Sequence, residues 1–256
     1  MWYPGHMAKT IAQLDKLRKV TDLVIEVVDA RAPIATRSYN KGPVKKKRSL
    51  VILAKSDLAD PLVTKQWLSW YESRQQAAFP IFKGISKKEI VKFLSKVLRT
   101  KDYFAVVIGV PNVGKSTFIN ALKGQRSATV GAVPGITRGV QWFFVSDKLK
   151  VLDTPGLLLP RIWSLDLSAK LLLLGCVDKD HVGPNVIERA IDLFLKTTGA
   201  SDMSSHEFVQ SFAKKRGMVA KGGIFDLNRA TAVLLNEIAS GKWGRFSLEK
   251  PEEVME

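Results

Sequence analysis

The sequence is poor in cysteine and has no long apolar segment. Its one cysteine, Cys176, excludes an internal disulfide framework and a cysteine-rich zinc site. No apolar run approaches the ~18 residues that a membrane-spanning helix requires. The first residues, 1–6, lack the charged-then-apolar pattern of a signal peptide. We therefore expect a cytoplasmic protein with no membrane segment.

Acidic residues are also few compared with basic ones. The 256 residues include 40 Lys and Arg against 24 Asp and Glu, which gives a net charge of +16. The excess lies in residues 1–177, with a net charge of +17, whereas residues 178–256 carry −1. A short lysine run is typical of a solvated surface. An excess of this size favours a polyanionic partner, and in the cytosol nucleic acid is the commonest one.

Hydrophobic patterning divides the chain into two parts. Apolar runs predict strands at 23–28, 50–53, 78–82, 105–108, 141–145 and 150–152, and helical periodicity predicts helices at 7–19, 62–74, 87–98 and 115–122. This alternation predicts an α/β fold with a mostly parallel sheet and helices on both faces. After about residue 165 only helical stripes remain, with Asp226 as the N-cap of the last helix. We expect an α/β domain at 1–177 and a small all-helical domain at 178–256.

One segment indicates nucleotide binding. Gly109–Ser116 fits the pattern G-x-x-x-x-G-K-[ST], directly after a predicted strand and at the start of a helix. Backbone N–H groups of such a loop face phosphate oxygens, and the helix N-terminus adds partial positive charge. Lys115 is expected to reach the β- and γ-phosphates and Ser116 to bind Mg²⁺. The expected phosphate-binding residues are Asn112, Val113, Gly114, Lys115, Ser116 and Thr117.

Two further motifs follow the P-loop. Asp153 begins Asp-Thr-Pro-Gly, where the carboxylate would hold magnesium through water and the N–H of Gly156 would sense the γ-phosphate. Thr137, between the two motifs, would coordinate Mg²⁺ from a loop and is a candidate catalytic residue. In this order after a P-loop, these motifs indicate a GTPase.

The candidate guanine-reading residues precede the P-loop. Lys55, Ser56 and Asp57 follow the strand at 50–53, and Lys83 and Gly84 follow the strand at 78–82. The Asp57 carboxylate would accept hydrogen bonds from the guanine N1–H and amine, while the Lys55 stem would cover the base. Because the base motifs come first, the order is that of a circularly permuted GTPase.

This permuted order resembles the circularly permuted GTPases of the YlqF/RbgA family. The matching segments span nearly the whole chain and are Trp2–Lys9, Val28–Pro33, Lys215–Gly217, Gly222–Gly223 and Gly241–Arg245. The resemblance implies a GTP-binding and GTP-hydrolysing switch, slow alone and stimulated by the ribosome; we expect a monomer. It implies that the GTP form binds rRNA of the pre-ribosome and assists late assembly of the large ribosomal subunit.

The chain departs from the family pattern at Ala54, where the usual base motif has asparagine. Losing one neutral hydrogen bond costs about 0.5–1.5 kcal/mol, up to roughly tenfold in affinity, so guanine preference should survive. No glutamine follows Gly156 to orient water. The resemblance points instead to His6, whose alternative role is that of a surface or capping histidine. Asn112 is where related GTPases ligate K⁺, although asparagine also simply tolerates a tight loop.

Other interpretations remain open from the sequence. A P-loop kinase or ATPase acting on a small molecule is the main alternative, and a nucleic-acid-binding module with a degenerate P-loop is a third. Arg31 is a candidate RNA contact or internal arginine finger, or a salt-bridge partner of Asp29. Trp243 and Phe246 either contact RNA or pack against the last helix.

Overall fold

The computed structural model describes residues 21–38, 47–98, 102–123, 129–132, 141–146, 149–153, 164–200 and 202–254. The helix predicted at 7–19 lies outside these residues. Within them, a seven-stranded sheet with flanking helices is followed by helices alone. In this part of the chain, no helix is long and apolar enough to cross a membrane.

The sheet places its strands in the order β3-β2-β1-β4-β7-β6-β5. The strands are β1 (Leu23–Asp29), β2 (Arg48–Ala54), β3 (Ala78–Pro80), β4 (Tyr103–Ile108), β5 (Thr129–Ala132), β6 (Gln141–Ser146) and β7 (Leu149–Asp153). The pairs β3·β2, β2·β1, β1·β4 and β4·β7 are parallel, whereas β6 runs antiparallel to β7 and to β5. The carboxyl ends of the parallel strands therefore share one edge, as expected for an α/β fold.

Five of the seven described α-helices begin with a side-chain N-cap. The seven helices are α1 (Pro61–Ser73), α2 (Lys87–Val97), α3 (Lys115–Lys123), α4 (Leu165–Leu173), α5 (Pro184–Thr198), α6 (Ser205–Lys215) and α7 (Leu227–Ala239). Asp60 accepts hydrogen bonds from the first turn of α1. Ser86 and Glu89 form a reciprocal capping box on α2. Asp226 caps α7 by accepting from the N–H of Arg229, which confirms the predicted N-cap.

Side chains of β1 and β2 alternate between two cores. Leu23, Ile25 and Val27 pack with residues of α2, α3 and α4 on one face of the sheet. On the other face, Val28 packs with Trp67 and other residues of α1. Because both faces are covered, ten of the fourteen residues of these two strands are apolar. This arrangement confirms the predicted layers.

The helices after the sheet enclose a second core of their own. Phe194 of α5 lies at its centre, with ring centroids 5.5 Å from Phe246 and 6.0 Å from Trp243. Helix α4 contributes to both cores: Leu167 and Leu171 face the sheet, whereas Leu172 and Leu173 face the helical core. The expected division of the chain at residue 178 stays a prediction.

Two strands differ from the prediction. The short β5 is absent from the predicted strands; it contains a glycine and pairs only with β6. The third strand ends at Pro80 rather than at residue 82. In both cases strand pairing, which local pattern does not encode, sets the limits.

Candidate functional site

The parallel strands bring the predicted motifs to one edge of the sheet. Ala54 ends β2 opposite Asp29, the last residue of β1, and Gly109 directly follows β4. The strand order β2-β1-β4-β7 also places Asp153, at the end of β7, on this edge. Motifs that are far apart in sequence therefore converge where α/β proteins bind ligands.

The P-loop curls tightly over the strands beneath it. A Cβ atom on Gly114 would lie 2.9 Å from the Cβ of Ala54, and the residue has φ +114°. A Cβ on Gly109 would lie 2.5 Å from the carbonyl oxygen of Val27. Only glycine lets the loop approach this closely, and such an approach leaves a cradle for a phosphate group.

Lys115 is buried inside this loop. Its Nζ donates hydrogen bonds to the carbonyl oxygens of Gly109, at 2.9 Å, and Val110, at 2.6 Å. Burial lowers the pKa of Lys115 to about 8. A buried ammonium held by two neutral carbonyls is suited to anion binding, because a phosphate would restore the favoured charged form.

Ser116 and Thr117 follow in the first turn of α3 and are exposed. Asn112 lies in the left-handed region with φ 57°, and its Nδ2 donates to the carbonyl of Gly175 at 3.0 Å. The left-handed conformation supports the structural role considered for this asparagine. The hydrogen bond also joins the P-loop to the turn after α4.

The two candidate base loops lie side by side. Ser56 donates to the carbonyl of Ile81 through both its backbone N–H and its Oγ, each at 3.0 Å. This links the loop after β2 to the loop that carries Lys83 and Gly84. Asp57 is exposed, as a residue that reads a ligand must be.

Lys55 is held by its neighbours in a left-handed conformation, with φ 55°. Its Nζ lies 3.1 Å from Oδ2 of Asp29 and donates to the carbonyl of Leu174 at 3.4 Å. Asp29 is fully buried. Burial alone would raise the pKa of this carboxyl, but the Arg31 guanidinium and the Lys55 ammonium hold it below its usual value.

Arg31 forms a buried salt bridge with Asp29. Its Nε and NH2 donate to the two Asp29 oxygens at 3.0 and 2.9 Å. The Arg31 side chain is fully buried, so the salt-bridge alternative describes this structure, not an exposed RNA contact. Sequence reasoning named Asp29 only as a partner of Arg31 and missed its second ion pair, with Lys55; the position of Asp29 at the end of a buried strand was the available signal.

Cys176 lies beneath the same cluster. Burial, followed by the charge of Asp29, raises the pKa of its thiol to about 12. The thiol therefore stays protonated and is not a nucleophile. Among the described residues, no group of three or more His, Cys, Asp or Glu could hold a metal.

Three predicted site residues, His6, Thr137 and Gly156, lie outside the described residues. Two magnesium candidates lie within the described residues: Ser116, which is exposed at the start of α3, and Asp153, the last residue of β7. Lys55, Ser56, Asp57, Lys83, Gly84 and the P-loop residues all lie on the two base loops or the phosphate loop described above. The assignment of binding roles to these residues stays a prediction.

Comparison with known proteins gives consistent matches. Residues 104–209 match the protein family described as 50S ribosome-binding GTPase. The chain is 41% identical to ribosome biogenesis GTPase A of Thermotoga maritima, with 99% of this chain and 95% of that protein aligned. It is 32% identical to ribosome biogenesis GTPase A of Bacillus cereus, with 100% and 95% aligned. The GNP-bound structure of YlqF from T. maritima has a TM-score of 0.85 at 38% identity and covers 96% of this chain and 100% of that chain.

Proposed function

The chain belongs to the ribosome biogenesis GTPase A family and is a GTP-hydrolysing enzyme of ribosome biogenesis; we propose that its GTP form binds the immature large ribosomal subunit and that hydrolysis releases it. The observation that carries this proposal is the meeting of two base loops and a P-loop at one sheet edge. That arrangement supports one nucleotide lying across the ends of β2, β1 and β4.

The guanine base belongs, in this proposal, at the loops after β2 and β3. Asp57 accepts from the guanine N1–H and amine, and the Lys55 stem covers the ring. Ser56 fixes the spacing of the loops through its two hydrogen bonds to Ile81. Lys83 and Gly84 present the backbone of the second loop to the base.

The phosphates belong at Asn112–Thr117. The close contact of Gly114 with Ala54 and the buried Lys115 ammonium support a tight anion cradle. Lys115 would exchange its two carbonyl partners for phosphate oxygens, which favour its charged form.

Magnesium is the proposed cation beside the phosphates. Ser116, Thr137 and Asp153 are the proposed magnesium residues, and hydroxyl and carboxylate oxygens are the ligands that this ion prefers. When bound, the ion would neutralise charge that develops on the phosphate oxygens.

His6 is proposed to orient the attacking water, since no glutamine follows Gly156. Asn112 is proposed as a K⁺ ligand in the nucleotide-bound form. Its Nδ2 donates to the carbonyl of Gly175, so the amide oxygen Oδ1 is the atom that would meet the ion.

Ribosomal RNA is the proposed partner surface. The α/β part of the chain, 1–177, carries a net charge of +17, which would attract a polyanion. Lys88, Lys92 and Lys96 are exposed along α2 and contribute to this field. The helical part, proposed as residues 178–256, would add local cation and aromatic contacts. We propose that the protein acts as a monomer in the cytoplasm.

The test is steady-state GTP hydrolysis in potassium buffer, with purified large subunits, with small subunits and with neither. We expect the hydrolysis rate to rise tenfold or more with large subunits alone. A tenfold rise corresponds to an activation free energy that is lower by about 1.4 kcal/mol. A rate that is indifferent to both subunits would contradict the proposed partner. A comparison of the affinities for GTP and for ATP in the same preparation checks the base assignment separately.

A further inference from the structure

We propose that Arg31 is a positioning residue for guanine recognition: it orients Lys55 through Asp29 and ties the base loop to the end of α7. The inference rests on the proposed function in taking Lys55 and Asp57 as base-reading residues. It adds a route by which base binding and the placement of the C-terminal helices influence each other.

The Arg31 guanidinium reaches three parts of the chain. It pairs with both carboxylate oxygens of Asp29, as described above. Its NH1 donates to the carbonyls of Ala239, at 3.1 Å, and Ile238, at 3.5 Å, at the C-terminal end of α7. Its Cζ lies 5.3 Å from the ring centroid of Phe246. A cation is favoured at a helix C-terminus, where carbonyl groups lack partners within the helix.

Asp29 divides its carboxylate between two cations. Oδ2 lies 2.9 Å from NH2 of Arg31 and 3.1 Å from Nζ of Lys55. The planar guanidinium fixes the orientation of this carboxylate, because two parallel hydrogen bonds permit one geometry. The carboxylate in turn holds Lys55, whose left-handed backbone needs support from its surroundings.

A second contact joins the base loop to the same region. Phe246 donates its backbone N–H to the carbonyl of Leu58 at 3.2 Å. A Cβ on Gly241 would lie 2.5 Å from Cδ2 of Leu58. Leu58, at the end of the base loop, therefore packs directly against the segment that follows α7.

Coupling follows from this shared environment. If guanine binding favours one placement of Lys55, it favours the Asp29–Arg31 geometry that holds the end of α7. Thermodynamic linkage makes the effect reciprocal, so a partner that moves α7 changes guanine affinity.

The first experiment is a double-mutant cycle on GDP affinity with Arg31→Gln and Lys55→Met. Lys55→Met keeps the aliphatic stem but loses the charge that meets Asp29. We expect each single variant to weaken GDP binding about tenfold and the double variant to be no weaker than about twentyfold. Additive losses, near a hundredfold, would overturn the proposal, because Arg31 would then act independently of Lys55.

Binding of inorganic pyrophosphate distinguishes a loss of base positioning from a general loss of folded structure, which would weaken the binding of both ligands. Pyrophosphate occupies the phosphate cradle without a base, so Arg31→Gln should leave its affinity within about twofold while GDP weakens about tenfold. Equal losses for both ligands would overturn a base-positioning role. Arg31→Lys keeps a cation beside Asp29 but cannot donate two parallel hydrogen bonds. It replaces Arg31→Gln if the latter does not fold.

Arg189→Gln is the matched control. Arg189 also forms a two-point ion pair, with Asp166 at 2.7 and 3.3 Å, but it joins α5 to α4 at the surface. This variant should bind GDP as the parent does. If Arg31→Gln binds GDP as the parent does while Asp57→Ala is weak, only this inference fails; if Asp57→Ala also binds GDP normally, the base assignment in the proposed function fails as well.

Hydrogen exchange tests the link to α7 directly. GDP should slow exchange of backbone amides in residues 235–242 of the parent protein by threefold or more, and should not do so in Arg31→Gln. Protection that survives in Arg31→Gln would overturn the proposed route.

Discussion

Ala54 and Gly114 are in direct contact: a Cβ atom placed on Gly114 would lie 2.9 Å from the Cβ of Ala54. The end of β2 thus supports the P-loop through van der Waals packing. An asparagine at position 54 would have to fit a longer side chain into this buried place. The contact gives a structural context for alanine where the family pattern has asparagine.

Gly114→Ala should abolish measurable GDP binding and destabilise the protein by about 2–3 kcal/mol. The new methyl group would clash with Ala54. The backbone φ of +114° is also one that residues with a side chain rarely adopt. GDP titration and denaturant melts measure the two effects. Gly199→Ala is the control, because Gly199 has φ +79° and a Cβ added there would meet nothing within 4 Å. Equal destabilisation by both variants would contradict the clash.

GDP affinity should fall as pH rises through about 8, the pKa of Lys115 in the free protein. Bound phosphate favours the ammonium, so above this pH binding takes up a proton and weakens by up to tenfold per pH unit. Calorimetry at pH 8.5 in two buffers of different ionisation enthalpy should reveal the proton uptake. Absence of uptake would contradict the lowered pKa.

The same shift predicts how the stability of the free protein depends on pH. The unfolded chain keeps the ordinary lysine pKa of 10.5, whereas burial of Lys115 in the fold lowers it to about 8. Between these values the unfolded state binds more protons, so this group makes the folded state more stable as pH rises. Denaturant unfolding of the parent and of Lys115→Met at pH 7.5 and 9.5 measures this change. The free energy of unfolding should gain the Lys115 contribution at the higher pH in the parent and not in Lys115→Met.

Gly241→Ala should be destabilising because its Cβ would lie 2.5 Å from Leu58 and its φ is +82°. We expect a loss of about 2 kcal/mol in thermal or denaturant unfolding. Gly244→Ala is matched, with φ +91° and nothing within 4 Å, and should cost about 1 kcal/mol. In a Leu58→Ala background, Gly241→Ala and Gly244→Ala should lose the same free energy of unfolding. If Gly241→Ala still loses more, a contact other than Leu58 is responsible.

Trp243→Ala should lower the free energy of unfolding by about 2–3 kcal/mol. The Trp243 ring lies 5.4 Å from Phe208 and 6.0 Å from Phe212 and is 37% exposed, so its packing role is substantial but incomplete. Trp243→Phe should keep most of this stability. If Trp243→Phe is stable but binds large subunits several-fold more weakly, the indole also contacts the partner.

GTP turnover should be faster in potassium than in sodium at equal ionic strength if Asn112 ligates K⁺. Asn112→Ala should remove the difference, because its amide oxygen supplies the proposed ligand. Equal turnover in the two salts would contradict the potassium site.

Much of the fold could be read from local pattern. The strands that lie inside the sheet are nearly continuous apolar runs, and their limits match the prediction to within two residues at β1, β2 and β4. β5 was missed because a four-residue strand containing glycine forms only when β6 lies beside it. The base and phosphate motifs were recognisable because their chemistry depends on residue type and spacing within one loop.

Residue type and local pattern were enough to predict the α/β class, the permuted motif order and the residues suited to guanine and phosphate. The surroundings of those residues depend on the packed fold: Asp29 is buried between Arg31 and Lys55, Gly114 lies against Ala54, and Arg31 donates to the last carbonyls of α7. These relationships join positions up to 208 residues apart. Their existence depends on which strands pair and which helix ends meet, and local sequence pattern does not specify long-range pairing.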